Sequence, residues 1–241
     1  MRRTGDRIEI PGDYQHRALH DGPATQRFWH LGKLMAVEAL LDPQPGDVLL
    51  DVGCGSGVLA ARMAGLPGTR VVGIDANPAA VAFGRSAYAA PNLEFREGLV
   101  DDLDLTDLQP NKIAFLEVIE HIYPEQALAT LRGFHRLLRP GGRVVVSTPN
   151  ERSLWPVIEW ALDRLAVAPT MAEEQHVASY DPRTLAALGV QAGFRVRDVR
   201  TLHLAAPWAA GLSFGLAHRL HGLEQWLRVP FGALVLATFE R

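Results

Sequence analysis

Cysteine is nearly absent from this sequence. The 241-residue chain has one cysteine, Cys54. A single thiol cannot form an internal disulfide, and it excludes a zinc site built on several thiolates. Net charge is also small, because 24 Lys and Arg stand against 27 Asp and Glu, for a formal charge of −3. Such a chain has no global basic field to draw it to nucleic acid, so we expect no nucleic-acid partner.

Long apolar runs are missing as well. No uncharged apolar run reaches the roughly 18 residues needed to span a bilayer. The opening stretch, MRRTGDRIEIPGD, has basic residues but no apolar segment of the kind found in secretory signals. With 48% hydrophobic and 21% charged residues, the composition is that of a soluble globular chain. We therefore predict a cytoplasmic protein with one domain over residues 1–241.

The sequence does contain a regular alternation of strand and helix patterns. Residues 1–23 look irregular, and residues 25–41 have apolar positions at helical spacing. Strands are then predicted at 48–52, 70–75, 93–98, 112–118 and 143–149, with helices at 57–65, 77–89 and 124–138. This alternation predicts right-handed crossovers and an α/β fold, with a mostly parallel sheet covered on both faces.

The pattern changes after Pro149. The predicted elements there are an apolar helix-like segment at 153–169, a helix at 182–194, a strand at 195–204, a mixed apolar and cationic segment at 208–230 and a strand at 232–240. We expect residues 151–181 and 205–231 to be insertions beside the substrate, with residues 1–45 forming an N-terminal helix and lid. An apolar roof implies an apolar or aromatic small-molecule substrate. Alternatively, segment 208–230 could rest transiently on a membrane surface.

The most informative stretch is LLDVGCGSGVLA, residues 49–60. Gly53, Gly55 and Gly57 follow the first strand, where missing Cβ atoms let the backbone turn tightly against a ligand at the next helix. The spacing differs from the G-x-G-x-x-G of dinucleotide sites. Asp51, two places before Gly53, suits a cationic group better than a phosphate, and Asp75 could accept both hydroxyls of a ribose. The pattern indicates a nucleoside with a positively charged tail.

Four motifs occur in a characteristic order over roughly residues 46–150: VLLDVGCGSG, VVGIDANP, FLEVIEHI and LLRPGGRVVVSTPN. Together they resemble the motifs of class I S-adenosylmethionine-dependent methyltransferases, and among these the chain is similar to the ubiquinone-biosynthesis O-methyltransferases. The resemblance implies S-adenosylmethionine as the cofactor. It also implies a Rossmann-like, doubly wound, mostly parallel seven-stranded sheet with helices on both faces and an antiparallel last strand.

The resemblance assigns the methionine end of the cofactor by position. Gly53 and Gly55 would pack against the methionine part, with Asp51 nearby. Leu116 and Glu117, at the end of the fourth strand, would lie beside the same part.

The nucleoside end follows in the same way. Asp75 would hold the ribose hydroxyls, and Ala76 would lie beside the adenine. Leu99 stands where the family often has an acid-containing GDA turn that brackets the adenine. This departure leaves Asp101 or Asp102 to supply the missing hydrogen bond.

The stretch EVIEH, residues 117–121, brings acids and an imidazole together. If a helical turn begins there, Glu117, Glu120 and His121 share one face. They would form a three-ligand set for Mg²⁺ or Mn²⁺, with open positions for a substrate oxygen. The ubiquinone O-methyltransferases place a divalent metal on this pattern. Small-RNA 3′-terminal 2′-O-methyltransferases add a later histidine, for which His176 is the candidate.

A metal-free reading of the same stretch remains open. In metal-free relatives the acid bonds backbone amides and the histidine packs beneath the cofactor. His121 and His176 are then the catalytic candidates, with His176 as a general base, because an imidazole titrates near neutral pH.

The functional prediction is methyl transfer from S-adenosylmethionine. We expect the acceptor to be a hydroxyl on an apolar or aromatic small molecule or on a lipid-like quinone precursor. Nitrogen and carbon acceptors stay open, because acceptor identity depends on the insertions and not on the cofactor motifs. One alternative is a metal-dependent RNA 3′-end 2′-O-methyltransferase, against which the mildly acidic composition counts. Another is a non-catalytic, cofactor-binding partner subunit, against which the intact motifs count.

Overall fold

A single seven-stranded sheet forms the centre of the computed structural model, which describes residues 11–99, 102, 105, 107–153 and 176–241. The strands are β1 Val48–Val52, β2 Arg70–Asp75, β3 Leu93–Glu97, β4 Lys112–Leu116, β5 Arg143–Pro149, β6 Arg195–Leu202 and β7 Leu234–Glu240. Their order is β3-β2-β1-β4-β5-β7-β6. β1 to β5 pair in parallel, whereas β7 runs antiparallel to both β5 and β6. The predicted Rossmann-like fold with an antiparallel last strand is confirmed.

The strand order reverses between β1 and β4. In open α/β sheets ligands bind at such a reversal, in the crevice beyond the carboxyl ends of the strands. The turn at residues 53–57 follows β1, and the EVIEH stretch follows β4. The topology thus brings the two motif groups of the sequence to one crevice.

Helices cover both faces of the sheet. They are α1 Tyr14–His20, α2 Ala24–Leu41, α3 Val58–Ala64, α4 Pro78–Ala87, α5 Pro124–Leu137, α6 Pro182–Gln191, α7 Ala206–Ala209 and α8 Phe214–Leu227. Local chemistry starts α4 and α6. Asn77 caps α4 by accepting the Ala79 amide, and Asp181 caps α6 by accepting two amides. Both helices have proline at their first residue, where no amide is needed.

Two apolar cores lie on opposite faces of the sheet. Leu50, Phe115 and Phe239 point to the face covered by α5 and α6. Leu49 and Val71 point to the other face, where α2 and α3 pack. Because successive side chains of a strand point to opposite faces, a strand buried on both faces is apolar throughout. This explains why the strands were visible as apolar runs.

The structure corrects several predicted elements. Residues 14–20 are helical, so the prediction of an irregular start over 1–23 is wrong there. Only Ala18 of α1 is buried, which leaves no apolar period to detect. β4 ends at Leu116, two residues earlier than predicted, because Glu117 takes a left-handed conformation with φ 53°. The predicted helix at 153–169 lies outside the described residues, apart from Ser153.

In the described part of the chain, no helix combines the length and the apolar character that crossing a membrane requires. The cytoplasmic location and the division into lid, core and insertions stay predictions.

Candidate active site

The glycine turn, residues 53–57, depends on left-handed backbone. Gly53, Gly55 and Gly57 have φ of 72°, 52° and 82°. A Cβ on Gly53 would overlap the Val118 side chain, and one on Gly55 would lie 2.6 Å from the Gln15 side-chain oxygen. Conformation therefore disfavours side chains at all three glycines, and a Cβ at Gly53 or Gly55 would also require a neighbouring side chain to move.

Backbone hydrogen bonds join this turn to the neighbouring strand. The amides of Gly53 and Cys54 both donate to the carbonyl oxygen of Ile74, at 2.8 and 3.0 Å. The turn is thereby fixed against the end of β2.

Asp75, the last residue of β2, is half-buried beside the turn. One of its carboxylate oxygens accepts the Gly55 amide at 2.7 Å, and the other accepts the Asn77 amide at 2.8 Å. Hydrogen bonds to a charged acceptor are about twice as strong as neutral ones. The carboxylate is therefore held in one orientation at the mouth of the crevice.

A cleft opens where β1 ends. Its polar lining comes from Gln15, His30, Lys33 and Asp51, and Gly53 and Leu116 complete the same wall. Helices α1 and α2 supply Gln15, His30 and Lys33. The N-terminal segment therefore borders the crevice.

Charges in the cleft are closely coupled. The Lys33 ammonium, which is buried, forms an ion pair with the Glu117 carboxylate. Burial alone would raise the pKa of Glu117, but the attraction of Lys33 outweighs it, so the pKa is lowered. Burial and the Lys33 charge lower the pKa of His30 to about 4. His30 is therefore neutral at pH 7, whereas Lys33 and Glu117 form a charged pair.

Asp51 contributes a second acid to the floor of the cleft. Its side chain is buried, and its Oδ2 atom has no hydrogen-bond partner among the described residues. Burial and the nearby charge of Asp75 raise the pKa of Asp51 to about 7. A cation bound there would supply the missing partner.

Lys33 is a residue that the sequence reasoning missed. It is one of only two lysines in the chain, and it lies among buried positions of α2. A lysine on the apolar face of a helix is a usable signal, because lysine is almost never fully buried unless it is paired.

The acid–histidine cluster comprises Glu120, His121 and His176. A 3-10 turn, Ile119–His121, follows β4. The metal-binding atoms of the three side chains all lie within 4.8 Å of one another, and the rings of His121 and His176 are 5.0 Å apart. The amides of Val177 and Ala178 donate to the carbonyl oxygen of Glu120, which holds His176 against the turn.

The structure thus brings together three of the four predicted metal ligands. Glu117 is engaged by Lys33 and is not part of the cluster. One carboxylate and two imidazoles fit a divalent transition metal or zinc, whereas Mg²⁺ prefers oxygen ligands only. The buried Glu120 Oε2 atom has no hydrogen-bond partner among the described residues, and a bound ion would supply one.

Electrostatics in the cluster favour neutral side chains. Burial and the charge of Glu117 raise the pKa of Glu120 to about 8. Burial and His121 lower the pKa of His176. Tyr180, which the sequence reasoning also missed, is buried, and its hydroxyl has no partner within the described segments. Burial and Glu120 raise the pKa of Tyr180.

The remaining predicted cofactor positions lie around the crevice. Leu116 ends β4 and lines the cleft. Ala76 follows Asp75 and is half-buried, and Leu99 is 55% exposed. Asp102 is exposed and donates its backbone amide to Leu99, whereas Asp101 lies outside the described residues.

Comparison with known proteins identifies the family. The sequence profile of a methyltransferase domain family matches residues 26–199. That match covers more than half of the chain, so the chain belongs to this methyltransferase domain family. The predicted family resemblance is confirmed.

Individual relatives agree with this assignment. A protein of Mycolicibacterium smegmatis named "probable S-adenosylmethionine-dependent methyltransferase" is 31% identical over 177 residues, which are 73% of this chain and 63% of the relative. The ubiquinone biosynthesis O-methyltransferase of Aeromonas salmonicida is 32% identical over 165 residues, 66% of this chain and 68% of the relative. The chain thus spans less than two thirds of the length of the Mycolicibacterium protein.

A solved structure matches the fold over nearly its full length. The magnesium protoporphyrin IX methyltransferase of Synechocystis, solved with bound S-adenosylhomocysteine, superimposes with a TM-score of 0.64 and is 16% identical in sequence. The match covers 95% of this chain and 93% of that one.

Proposed function

We propose that this chain transfers the methyl group of S-adenosylmethionine to a hydroxyl on an apolar or aromatic small molecule of the quinone-precursor type. The observation that carries the cofactor assignment is the glycine turn bonded to Asp75, next to a cleft with Asp51 and Lys33. Similarity to the ubiquinone biosynthesis O-methyltransferase supports the acceptor class.

The charges of the cleft match the amino-acid part of the proposed cofactor. An ammonium is complementary to the Asp51 carboxylate, which lacks a partner for Oδ2 among the described residues. A carboxylate is complementary to the Lys33 ammonium, which the Glu117 carboxylate holds in place in this structure. Both charges are buried, and a buried charge pair interacts more strongly than one in water.

The nucleoside end would lie against the turn. The Asp75 carboxylate is already oriented by two amides, so it can accept ribose hydroxyls with little further ordering. The glycines carry no side chains of their own, so the cofactor can approach this backbone closely when the Gln15 side chain beside Gly55 moves aside. Ala76 and Leu99 remain the positions that we assign to the adenine.

The sulfonium of S-adenosylmethionine supplies an electrophilic methyl group. The protein then has to align the acceptor and remove its proton. His121 and His176 are the proposed proton acceptors. His121 belongs to the turn that follows β4, and the His176 ring lies 5.0 Å from it. The lowered pKa of His176 keeps that imidazole neutral, as a base must be at pH 7.

A second candidate mechanism uses a metal ion held by Glu120, His121 and His176. It is favoured by one specific observation, the convergence of their ligand atoms within 4.8 Å. A divalent ion at this position would polarise the acceptor oxygen and lower its pKa. The donor set favours Mn²⁺ or Zn²⁺ over Mg²⁺. The metal-dependent RNA 3′-end alternative rests on the same residues.

Radiolabelled methyl transfer tests the proposal. The purified protein would be incubated with labelled S-adenosylmethionine and one of three acceptors: an alkylated catechol, the same catechol without its alkyl chain, or a short RNA. We expect labelling of the alkylated catechol above all, with a loss in EDTA only if the metal mechanism holds. Labelling of RNA alone would favour the alternative function. Cofactor binding without labelling of any acceptor would favour a non-catalytic partner subunit.

A further inference from the structure

Helix α8 presents four large apolar residues to solvent, while Phe214 and Leu220 pack partly against the core. Its buried positions are Ala217, His221 and Glu224. Its outer face, defined here by Leu216, Leu223, Trp226 and Leu227, is exposed, with Trp226 at 78%. A surface helix of a globular protein normally has the opposite arrangement, with its apolar stripe on the core.

Polar contacts fix this orientation. The Glu224 carboxylate accepts the backbone amides of Ala205 and Ala206 at 2.7 and 2.9 Å, and that of Leu204 at 3.3 Å. These amides begin helix α7, so Glu224 serves as its N-terminal cap. Rotating α8 to bury its leucines would break all three hydrogen bonds and leave the buried amide of Ala206 without a partner, which is unfavourable. The outward apolar face is therefore part of the folded structure.

Exposed apolar side chains also occur beyond both ends of α8. Leu212, just before the helix, is 86% exposed, and Phe231, just after it, is 57% exposed. An exposed apolar surface of this extent commonly marks an interaction site.

The segment that carries this surface, residues 203–233, has no exposed acid. Residues 203–233 contain one acid, the buried Glu224. Arg219 lies on the outer face, three residues from Leu216 and four from Leu223, and it is exposed. Arg228, at the end of the helix, is also exposed but pairs with Asp198. Tryptophan, leucine and arginine together, without an exposed acid, are typical of helices that lie in the interface of an anionic membrane.

We propose that the outer face of α8 docks on the surface of an anionic lipid bilayer. Trp226 and the three leucines enter the interfacial region, and Arg219 contacts the lipid headgroups. Arg228 is paired with Asp198, and among the described residues Arg219 is the one arginine of this segment without an ion pair. Apolar insertion therefore supplies most of the affinity, and binding is reversible. The helix lies on the bilayer and does not cross it, in agreement with its length of 14 residues. This docking does not depend on the identity of the methyl acceptor.

Vesicle flotation tests the docking. The probes are vesicles of phosphatidylcholine alone and of phosphatidylcholine mixed with phosphatidylglycerol. We expect the wild-type chain to bind both, with higher affinity for the anionic vesicles. The double variant Leu223→Ser/Trp226→Ser should bind at least about tenfold more weakly to either. Arg219→Gln should lose about fivefold on anionic vesicles and nothing on neutral ones.

A matched control is available on another helix. Val190, on α6, is 60% exposed, so Val190→Ser removes an exposed apolar side chain away from the outer face of α8. This control should bind vesicles as the wild type does. Each variant should keep the melting temperature and the S-adenosylhomocysteine affinity of the wild type, because none of these residues borders the cleft.

Three results would overturn the proposal. The first is a wild-type chain that floats with neither vesicle. The second is a double variant that binds as tightly as the Val190→Ser control. The third is sedimentation showing a wild-type dimer that the double variant abolishes while vesicle binding stays unchanged, since the outer face would then be a protein interface.

Discussion

The two ends of the proposed site differ in how their polar groups are satisfied. At the glycine turn, both oxygens of Asp75 accept backbone amides, and the amides of Gly53 and Cys54 share one carbonyl oxygen. At the acid–histidine cluster, Glu120 Oε2 and the neighbouring Tyr180 hydroxyl are buried without hydrogen-bond partners among the described residues. A buried polar atom without a partner lowers stability.

The two ends are built from different groups. Backbone hydrogen bonds preorganise the cofactor end, where Asp51 Oδ2 is the exception and marks the proposed position of the ammonium. Side chains from separate segments build the acid–histidine cluster, which is the proposed acceptor end. A bound ion or substrate would supply partners for its unpaired polar atoms. Variants at the cofactor end should therefore change ligand affinity, and variants at the acceptor end should change the rate.

Replacing Gly55 with valine should have the largest effect. A β-branched residue is strained at φ 52°, and its side chain would meet Gln15 at the mouth of the crevice. We expect S-adenosylhomocysteine affinity to fall by about a hundredfold or more, measured by calorimetry. The control is Gly222→Val on α8, where an added Cβ meets nothing within 4 Å. Equal affinities for the two variants would contradict a cofactor site at this turn.

The Glu120→Gln variant should separate the two ends most cleanly. Removing the carboxylate takes away either a metal ligand or the group that orients the cluster. We expect the turnover rate to fall by about a hundredfold, with S-adenosylhomocysteine affinity changed by less than about twofold. Glu125→Gln, at an exposed position of α5, is the control. If Glu120→Gln weakened cofactor binding as strongly as it slowed turnover, the two ends would not be separable.

Lys33→Met should lower the affinity for S-adenosylhomocysteine by about tenfold, because the carboxylate of the ligand loses its proposed partner. The variant also leaves the Glu117 carboxylate without its ion pair, so the melting temperature should fall as well. The double variant Lys33→Met/Glu117→Gln should recover the melting temperature but not the affinity. Recovery of both would mean that Lys33 serves only to neutralise Glu117.

The pH dependence of cofactor affinity should report Asp51. The pKa of this carboxyl is raised to about 7, and only its ionised form attracts an ammonium. Affinity for S-adenosylhomocysteine should therefore rise by about tenfold between about pH 6 and pH 8, then level off. Calorimetry across this range checks it, and Asp51→Asn should abolish the slope. An unchanged slope in that variant would assign the titration to another group.

The free energy of unfolding of the free protein should fall with rising pH, whereas the cofactor affinity should rise. The folded pKa of Asp51 lies above its unfolded value of 3.8, so the folded state binds more protons between these values. The contribution of Asp51 to the free energy of unfolding is complete below that lower value and is lost as pH rises through 7. Chemical denaturation of wild type and Asp51→Asn would show whether this opposing trend exists.

Sequence reasoning reached the fold and the position of the glycine turn because both depend on local patterns. Strands buried on two faces appear as apolar runs, and the glycine spacing follows from the left-handed turn that it permits. It missed α1, whose contacts are tertiary, such as the Gln15 side chain against Gly55. It also grouped Glu117 with the metal ligands, since no local signal connects that acid with Lys33, 84 residues away.

Calorimetry tests most directly whether the crevice beside Asp75 binds S-adenosylmethionine. Wild type and Asp75→Ala would each be titrated with S-adenosylhomocysteine and with NAD. The wild type should bind S-adenosylhomocysteine and give no heat with NAD. In the variant the loss of a charge-assisted contact, worth roughly 2–4 kcal/mol, should weaken S-adenosylhomocysteine by more than about tenfold. A wild type that prefers NAD, or a variant with unchanged S-adenosylhomocysteine affinity, would contradict the assignment of this crevice to S-adenosylmethionine.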